Sequence, residues 1–152
     1  MSKFSQFYQL KLEQIMEKEV ANLPLIEEHA SISKAMIMLK KHDHLWVVKD
    51  LKSRVLVGVV TNYDMLRFFS PRKKVPIVGL IKHLIHYTPG EIREIMHYPI
   101  TCNPAEKISD AIKKMIAHRI RRIPVVKNHQ IIGEITSRQI IKEFISRYLT
   151  HL

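Results

Sequence analysis

Residues 58–64 read Gly58-Val59-Val60-Thr61-Asn62-Tyr63-Asp64, and residues 133–139 read Gly133-Glu134-Ile135-Thr136-Ser137-Arg138-Gln139. In both, a glycine stands in a short apolar run of strand type, and a threonine follows where a helix would open, a place where a hydroxyl can cap free backbone N–H groups. The same features surround each stretch in the same order. Upstream lie Ile32-Ser33-Lys34-Ala35 and Trp46-Val47-Val48-Lys49 in one case, and Ile108-Ser109-Asp110-Ala111 and Pro124-Val125-Val126-Lys127 in the other; downstream lie Phe68-Phe69 and Phe144. From the alanine to Trp46 or Pro124 is 11 or 13 residues, and from there to the glycine 12 or 9, differences that turns absorb. The chain is an internal duplication, and duplicated units that cannot bury an apolar face alone are expected to bury it against each other.

Each copy reads as helix, strand, strand, helix. Apolar residues recur at helical spacing over 33–41 (Ala35, Met36, Leu39) and 107–118 (Ile108, Ala111, Ile112, Met115, Ile116). Asn103-Pro104 suits the turn that opens the second of these helices. Residues 45–48 and 123–126 are first strands, 55–60 and 131–135 second strands, and Asn128-His129 marks a turn between the latter pair. Closing helices follow over 63–69 and 137–149, and a further short strand is expected at Ile100-Thr101. The fold class is therefore mixed α/β (α+β). Its expected divisions are an N-terminal amphipathic helix (1–20), repeat one (21–70), a proline-rich linker (71–92) and repeat two (93–150). Phe4, Tyr8, Leu12 and Ile15 would line one side of the N-terminal helix; with Glu13, Glu17 and Glu19 on its polar face, it suits packing on the module better than a membrane surface. The linker holds Pro71, Pro76 and Pro89 and a short helix over 77–85.

Composition narrows the class. The hydrophobic fraction of 46% and charged fraction of 26% are those of an ordinary soluble globular protein, and no apolar run approaches the ~20 residues that span a bilayer. The N-terminus has no uninterrupted apolar signal core, so a cytoplasmic location is expected. The lone Cys102 excludes an internal disulfide and a multi-cysteine zinc site; it reads as a small hydrophobe in an apparent strand start, with a reactive thiol as the alternative. The net charge of +11 suits an anionic partner, but the excess is spread (14 basic and 9 acidic residues in 1–92, 11 and 5 in 93–152), as on a solvated surface.

The strand ending Gly-x-x-Thr-x-x-Asp at Gly58–Asp64, the strand opening Pro124-Val125-Val126, and the lead-in segment Ile95-Met96-His97-Tyr98-Pro99-Ile100-Thr101-Cys102-Asn103-Pro104 together resemble the cystathionine-β-synthase-type (CBS) domain. The resemblance covers about residues 20–150. It implies two β-α-β-β-α repeats packed as one module with pseudo-twofold symmetry, and two clefts for AMP, ADP, ATP, S-adenosylmethionine or a related ligand. Pairs of this family commonly dimerise, which implies a homodimer here, and the apolar faces ending near Phe68-Phe69 and Phe144-Ile145 fit that. The role implied is regulatory and non-catalytic, with ligand state passed to an unidentified protein.

A carboxylate can accept hydrogen bonds from both hydroxyls of a ribose, and such charge-assisted bonds are the strong kind. The resemblance gives that role to Asp64; Gln139 occupies the equivalent place in copy two. The better cleft would then combine Thr61, Asn62, Tyr63 and Asp64 with Met96, Ile100, Ile120, Arg121, Arg122 and Ile123. Ile100 and Ile120 would wall the adenine, Thr61 and the helix start would meet phosphate, and His44 would add partial positive charge. Arg121 and Arg122 are phosphate ligands by type or a solvated turn. Asp64 can equally be a helix cap. Trp46, in the place of a proline, reads as a core or interface aromatic, with a stacking platform as the alternative. With Gln139 and Trp46, the second cleft is expected to be empty or weak.

Other chemistries find little support. His42 with His44, and His83 with His86, are pairs without further ligands of fitting spacing, so no metal is expected. With 4 glycines in all, there is no phosphate-cradling Walker sequence and no nucleophile elbow. A ligand-independent basic adaptor for nucleic acid or an acidic protein is the rival reading, though interleaved aromatics and a reading helix are missing.

Overall fold

The computed structural model describes residues 2–70 and 90–150. The expected linker helix over 77–85, the linker prolines, and the His83 and His86 pair lie outside the described residues. In chain order the elements are α1 (Lys3–Gln9), β1 (Leu25–Glu27), α2 (Ile32–Met38), β2 (His44–Val48), β3 (Leu56–Thr61), α3 (Asn62–Phe69), α4 (Ile108–His118), β4 (Arg122–Lys127), β5 (Gln130–Thr136) and α5 (Ser137–Tyr148), with single 3-10 turns at Leu12–Gln14, Val20–Asn22 and Ile92–Glu94. This is the α+β pattern of two similar repeats, preceded by a short helix.

The chain forms two compact units, Pro24–Tyr98 and Met1–Leu23 with Pro99–Leu152. These differ from the divisions drawn along the sequence, because each lead-in segment packs with the repeat that does not follow it. In the first unit, Ile92 is fully buried among Ile26, Ile32, Leu45 and Val60. The backbone of residues 92 and 93 donates to the carbonyls of Ala30 and Glu28, and His97 bridges Val59 of β3. In the second unit, Leu12 takes the same place among Ile108, Ile123 and Ile135. Its N–H donates to the Glu106 carbonyl, and Glu17 bridges Glu134 of β5.

This pairing explains where the N-terminal helix stops. A helix across 1–20 would carry Leu12 and Ile15 on the face of Phe4 and Tyr8. Instead α1 ends at Gln9, because Leu10 and Lys11 run extended to pair with the segment before α4: Ile108 donates to Leu10, and Lys11 bridges Lys107. Tertiary hydrogen bonds and complete burial of Leu12 outweigh the few tenths of a kcal/mol per residue that helix propensity offers. The helix that does form lays Phe7 and Phe4 on Phe144 of α5 at ring-centroid distances of 5.3 and 5.6 Å.

The first unit's sheet runs β1-β2-β3, with β1 parallel and β3 antiparallel to the wholly buried β2. The second unit's sheet is β4-β5, and the strand expected at Ile100-Thr101 shrinks to one parallel bridge, Cys102 to Val125. Proline is the reason. Trp46 and Pro124 hold the same register, opposite Val59 and Glu134. The Trp46 N–H donates to the Pro24 carbonyl at 2.8 Å and extends the ladder; Pro124 has no N–H to give. Trp46 itself is 2% exposed, a core residue and not an open stacking platform.

Both glycines of the opening motif face a lead-in segment. A Cβ at Gly58 would stand 2.6 Å from the Met96 Sδ, and one at Gly133 would strike the backbone carbonyl of Glu17. A methionine side chain can swing away; a carbonyl held in a bridge cannot. Gly133→Ala is therefore expected to cost about 2–3 kcal/mol and Gly58→Ala about 1 kcal/mol or less, an ordering that urea unfolding of the two variants checks. The expected turn at Asn128-His129 is a two-residue hairpin loop with φ of 52° and 64°, the mirror-type turn that favours glycine second. His129→Gly is expected to raise stability by about 1 kcal/mol, read as an upward shift of about 2–4 °C in the thermal midpoint.

Candidate functional site

The junction of β3 and α3 is built around Thr61 and Asp64. Thr61 ends the strand in an extended conformation (φ −122°, ψ 168°) and caps the helix, its Oγ1 accepting from the Asp64 N–H at 3.4 Å. Asp64 reaches back, so that its Oδ2 accepts from the Thr61 N–H at 2.8 Å and from the Thr61 hydroxyl at 3.0 Å. This reciprocal cap satisfies donors that a helix start leaves free and sets a negative charge on the positive end of the helix. His97 Nδ1 lies 3.5 Å from the same Oδ2. Oδ1 has no bonding partner among the described residues, although the carboxylate side chain is only 10% exposed.

Thr136 and Gln139 repeat the arrangement at the start of α5. The Gln139 Oε1 accepts from the Thr136 N–H at 2.7 Å, and the Thr136 Oγ1 accepts from the Gln139 N–H at 3.2 Å. The amide thus keeps the cap with its only oxygen, and its second polar group is an NH₂ donor and not an acceptor. Asp64 keeps its cap with one oxygen and has a second to offer. The two halves of the duplication are alike in structure and unlike in chemistry.

The other candidate residues are distributed as follows. Asn62 and Tyr63 stand exposed in the first turn of α3. His44 starts β2 opposite Thr61 and is buried, with its Nδ1 2.9 Å from Asp43 Oδ1 and its ring 4.7 Å from the Trp46 ring. Met96 packs over Gly58 and against the core. These four, with Thr61, Asp64 and His97, belong to the unit 24–98. Ile100, Ile120, Arg121, Arg122 and Ile123 belong to the other unit. There Arg121 is exposed and its carbonyl accepts from the Ser137 N–H, while Ile120 lies half-buried against the core and Ile100 is half-buried. Arg122 opens β4 opposite Thr136, with Nη1 4.0 Å from Glu134 Oε1. Ile123, expected in the cleft, is fully buried; strand alternation turns it to the core face, so its side chain is a core element. His97, which follows Met96 in the lead-in segment, is not among the candidates expected from the sequence.

A family model, CBS domain, matches residues 12–71 and 92–146. The chain belongs to the CBS domain family. Both matches begin at or next to the 3-10 turn of a lead-in segment, Leu12 in one and Ile92 in the other. Among curated relatives, the uncharacterized protein MJ1404 of Methanocaldococcus jannaschii is 32% identical over 136 residues, 87% of this chain and 31% of that protein. The chain spans less than half the length of the three curated relatives it matches. Among solved structures, CBSX2 from Arabidopsis thaliana in complex with AMP shares the fold at a TM-score of 0.71, with 23% identity over 90% of this chain and 97% of that one. The CBS domain pair of protein MJ0100, in complex with 5′-methylthioadenosine and S-adenosylmethionine, gives 0.63, with 25% identity over 91% and 98%.

Cys102 is buried at 2% exposure and forms the parallel bridge described above. The Lys114 ammonium ties this segment to α4 through the Thr101 carbonyl (2.8 Å), Glu106 (2.6 Å) and the Cys102 sulfur (3.6 Å). Burial, assisted by the Glu106 charge and opposed by Lys114, pushes the thiol up from 9.0 to about 11. The thiolate is the reactive form, so at about pH 8 the folded protein is expected to react with iodoacetamide about a hundredfold more slowly than the urea-unfolded chain. Comparable rates would contradict that burial. No three His, Cys, Asp or Glu side chains cluster as a metal site among the described residues, and no helix among them is long and apolar enough to cross a membrane.

Proposed function

We propose that this CBS pair is a non-catalytic regulatory module that binds an adenosine-containing ligand through Asp64 and passes the ligand state to a partner protein. One observation carries the reading: Asp64 completes its helix cap with Oδ2 alone, the oxygen that the exposed His97 imidazole also approaches, and Oδ1 is left as an acceptor. A pair of adjacent ribose hydroxyls needs such an acceptor. The relatives support the ligand class, since two solved structures of the same fold are complexes with AMP and with S-adenosylmethionine and methylthioadenosine. The Gln139 half offers a donor in the same place, so one binding half per chain is the reading that fits both caps. Exposed apolar side chains, Leu66 and Phe69 on α3 and Ile141 and Ile145 on α5, are surfaces for self-association or for the partner.

Asp64→Asn is the informative change, because an amide keeps the cap, as Gln139 does, and removes the charge. Calorimetric titration of the wild type with AMP, ADP, ATP and S-adenosylmethionine is expected to find binding by at least one. For that ligand Asp64→Asn should weaken affinity by about ten- to a hundredfold, the value of a charge-assisted hydrogen bond, with a single cooperative melting transition lowered by no more than about 4 °C. Binding that is indifferent to Asp64→Asn, or no binding by any of the four, overturns the reading.

A further inference from the structure

His97 stands where a proton can compete with a ligand. Its backbone is clamped to β3 by a pair of bonds, Val59 N–H to the His97 carbonyl at 2.8 Å and His97 N–H to the Val59 carbonyl at 3.1 Å. The ring is therefore presented to α3 from a strand-like segment and not from a free loop. Its Nδ1 lies 3.5 Å from Asp64 Oδ2, and its side chain is 57% exposed. The other charged groups nearby in the chain are engaged elsewhere or distant in role: Asp43 and His44, at the start of β2, pair with each other at 2.9 Å, and Glu94 lies three residues back in the 3-10 turn. Asp64 is the one ionised partner of His97 among the described residues.

The duplicated half lacks this pair on both sides. The position of His97 is taken by Glu17, which bridges Glu134 as His97 bridges Val59, and its carboxylate turns to the Glu19 N–H at 2.9 Å and the Asn22 amide at 3.3 Å. Glutamate thus stands in the half that has Gln139, and histidine in the half that has Asp64. An acid there would repel the site carboxylate; an imidazole is neutral or attractive according to its protonation.

We propose that His97 makes ligand capture at Asp64 a proton-linked event. The neutral imidazole leaves the carboxylate free to accept the ligand's paired hydroxyls; the imidazolium takes the carboxylate as its counter-ion and weakens it as an acceptor. Acidification then lowers affinity, and by linkage the ligand expels a proton on binding. This rests on the assignment of Asp64 as the ribose acceptor, and His97 acts as a positioning residue through it.

Adenosine is the decisive probe, since it carries the diol and no phosphate whose own second ionisation falls near pH 6. Calorimetric titration of the whole chain is expected to give affinity about fivefold weaker at about pH 6 than at about pH 8. Near the acidic end, the binding heat should vary with the ionisation enthalpy of the buffer, in the sense of proton release. His97→Gln, checked for an unchanged melting curve, is expected to bind adenosine with a flat pH response and no proton release. A wild type that binds equally or more tightly in acid, or a His97→Gln variant that keeps the wild-type pH response, overturns the proton link while leaving Asp64 as the ligand residue. Absence of binding by adenosine, AMP, ADP, ATP and S-adenosylmethionine at both pH values overturns the Asp64 reading and the proton link with it, and absence of adenosine binding alone overturns the proton link.

Discussion

The close approach of each lead-in segment to a glycine governs the rest of the molecule. At Gly133 the Glu17 carbonyl occupies the space a Cβ would need, and at Gly58 the Met96 side chain does. The glycine leaves room for the segment to bridge the strand, strictly at Gly133 for Glu17 on Glu134 and less strictly at Gly58 for His97 on Val59. The bridge in turn draws Leu12 or Ile92 to full burial. From there the consequences run outward. Leu12 ends α1 early, and the Val59 bridge is what carries His97 to the start of α3. A positional constraint of one missing methyl group is thereby connected to the chemistry beside Asp64.

Much of this was legible in the residues, for local reasons. A helix cap is a short-range device: Thr61 with Asp64, and Thr136 with Gln139, are three apart, and the geometry that joins them is settled by the helix start itself. The hairpin at Asn128-His129 and the apolar spacing of α4 are equally local. What was not legible depends on contacts distant in sequence. Nothing in residues 1–20 says that Leu10 and Lys11 will pair with the segment before α4, and helical spacing of Phe4, Tyr8, Leu12 and Ile15 is a sound reading until that pairing overrides it. The collapse of the strand near Ile100 to a bridge was readable in principle, because Pro124 advertises its missing donor. Ile123, expected in the cleft, is turned to the core by strand alternation.

The choice between a cap and a ligand residue at Asp64 turns out to be a false alternative. The cap uses one oxygen, and a carboxylate has two. The comparison within the chain gives the point its force, because Gln139 performs the cap with bonds of the same length class, 2.7 Å against 2.8 Å. The fold therefore does not require an acid at that position, and the negative charge on Asp64 needs another account. Partial compensation of the α3 dipole is one, worth a few tenths to about 1 kcal/mol at a helix start. That account applies equally to α5, whose first turn has no acidic residue.

The neighbour of the charge separates the two accounts. Were Asp64 there for the helix alone, the residue across from it would be indifferent, and the side chain at the equivalent lead-in position of the other half would carry no relation to Gln139. Instead charge and neighbour change together: histidine with aspartate, glutamate with glutamine. An imidazole more than half exposed, set against a carboxylate nine-tenths covered, adds little to stability, because solvent screens it. Its effect falls on the carboxylate's remaining acceptor capacity, which matters only when something else approaches Oδ1.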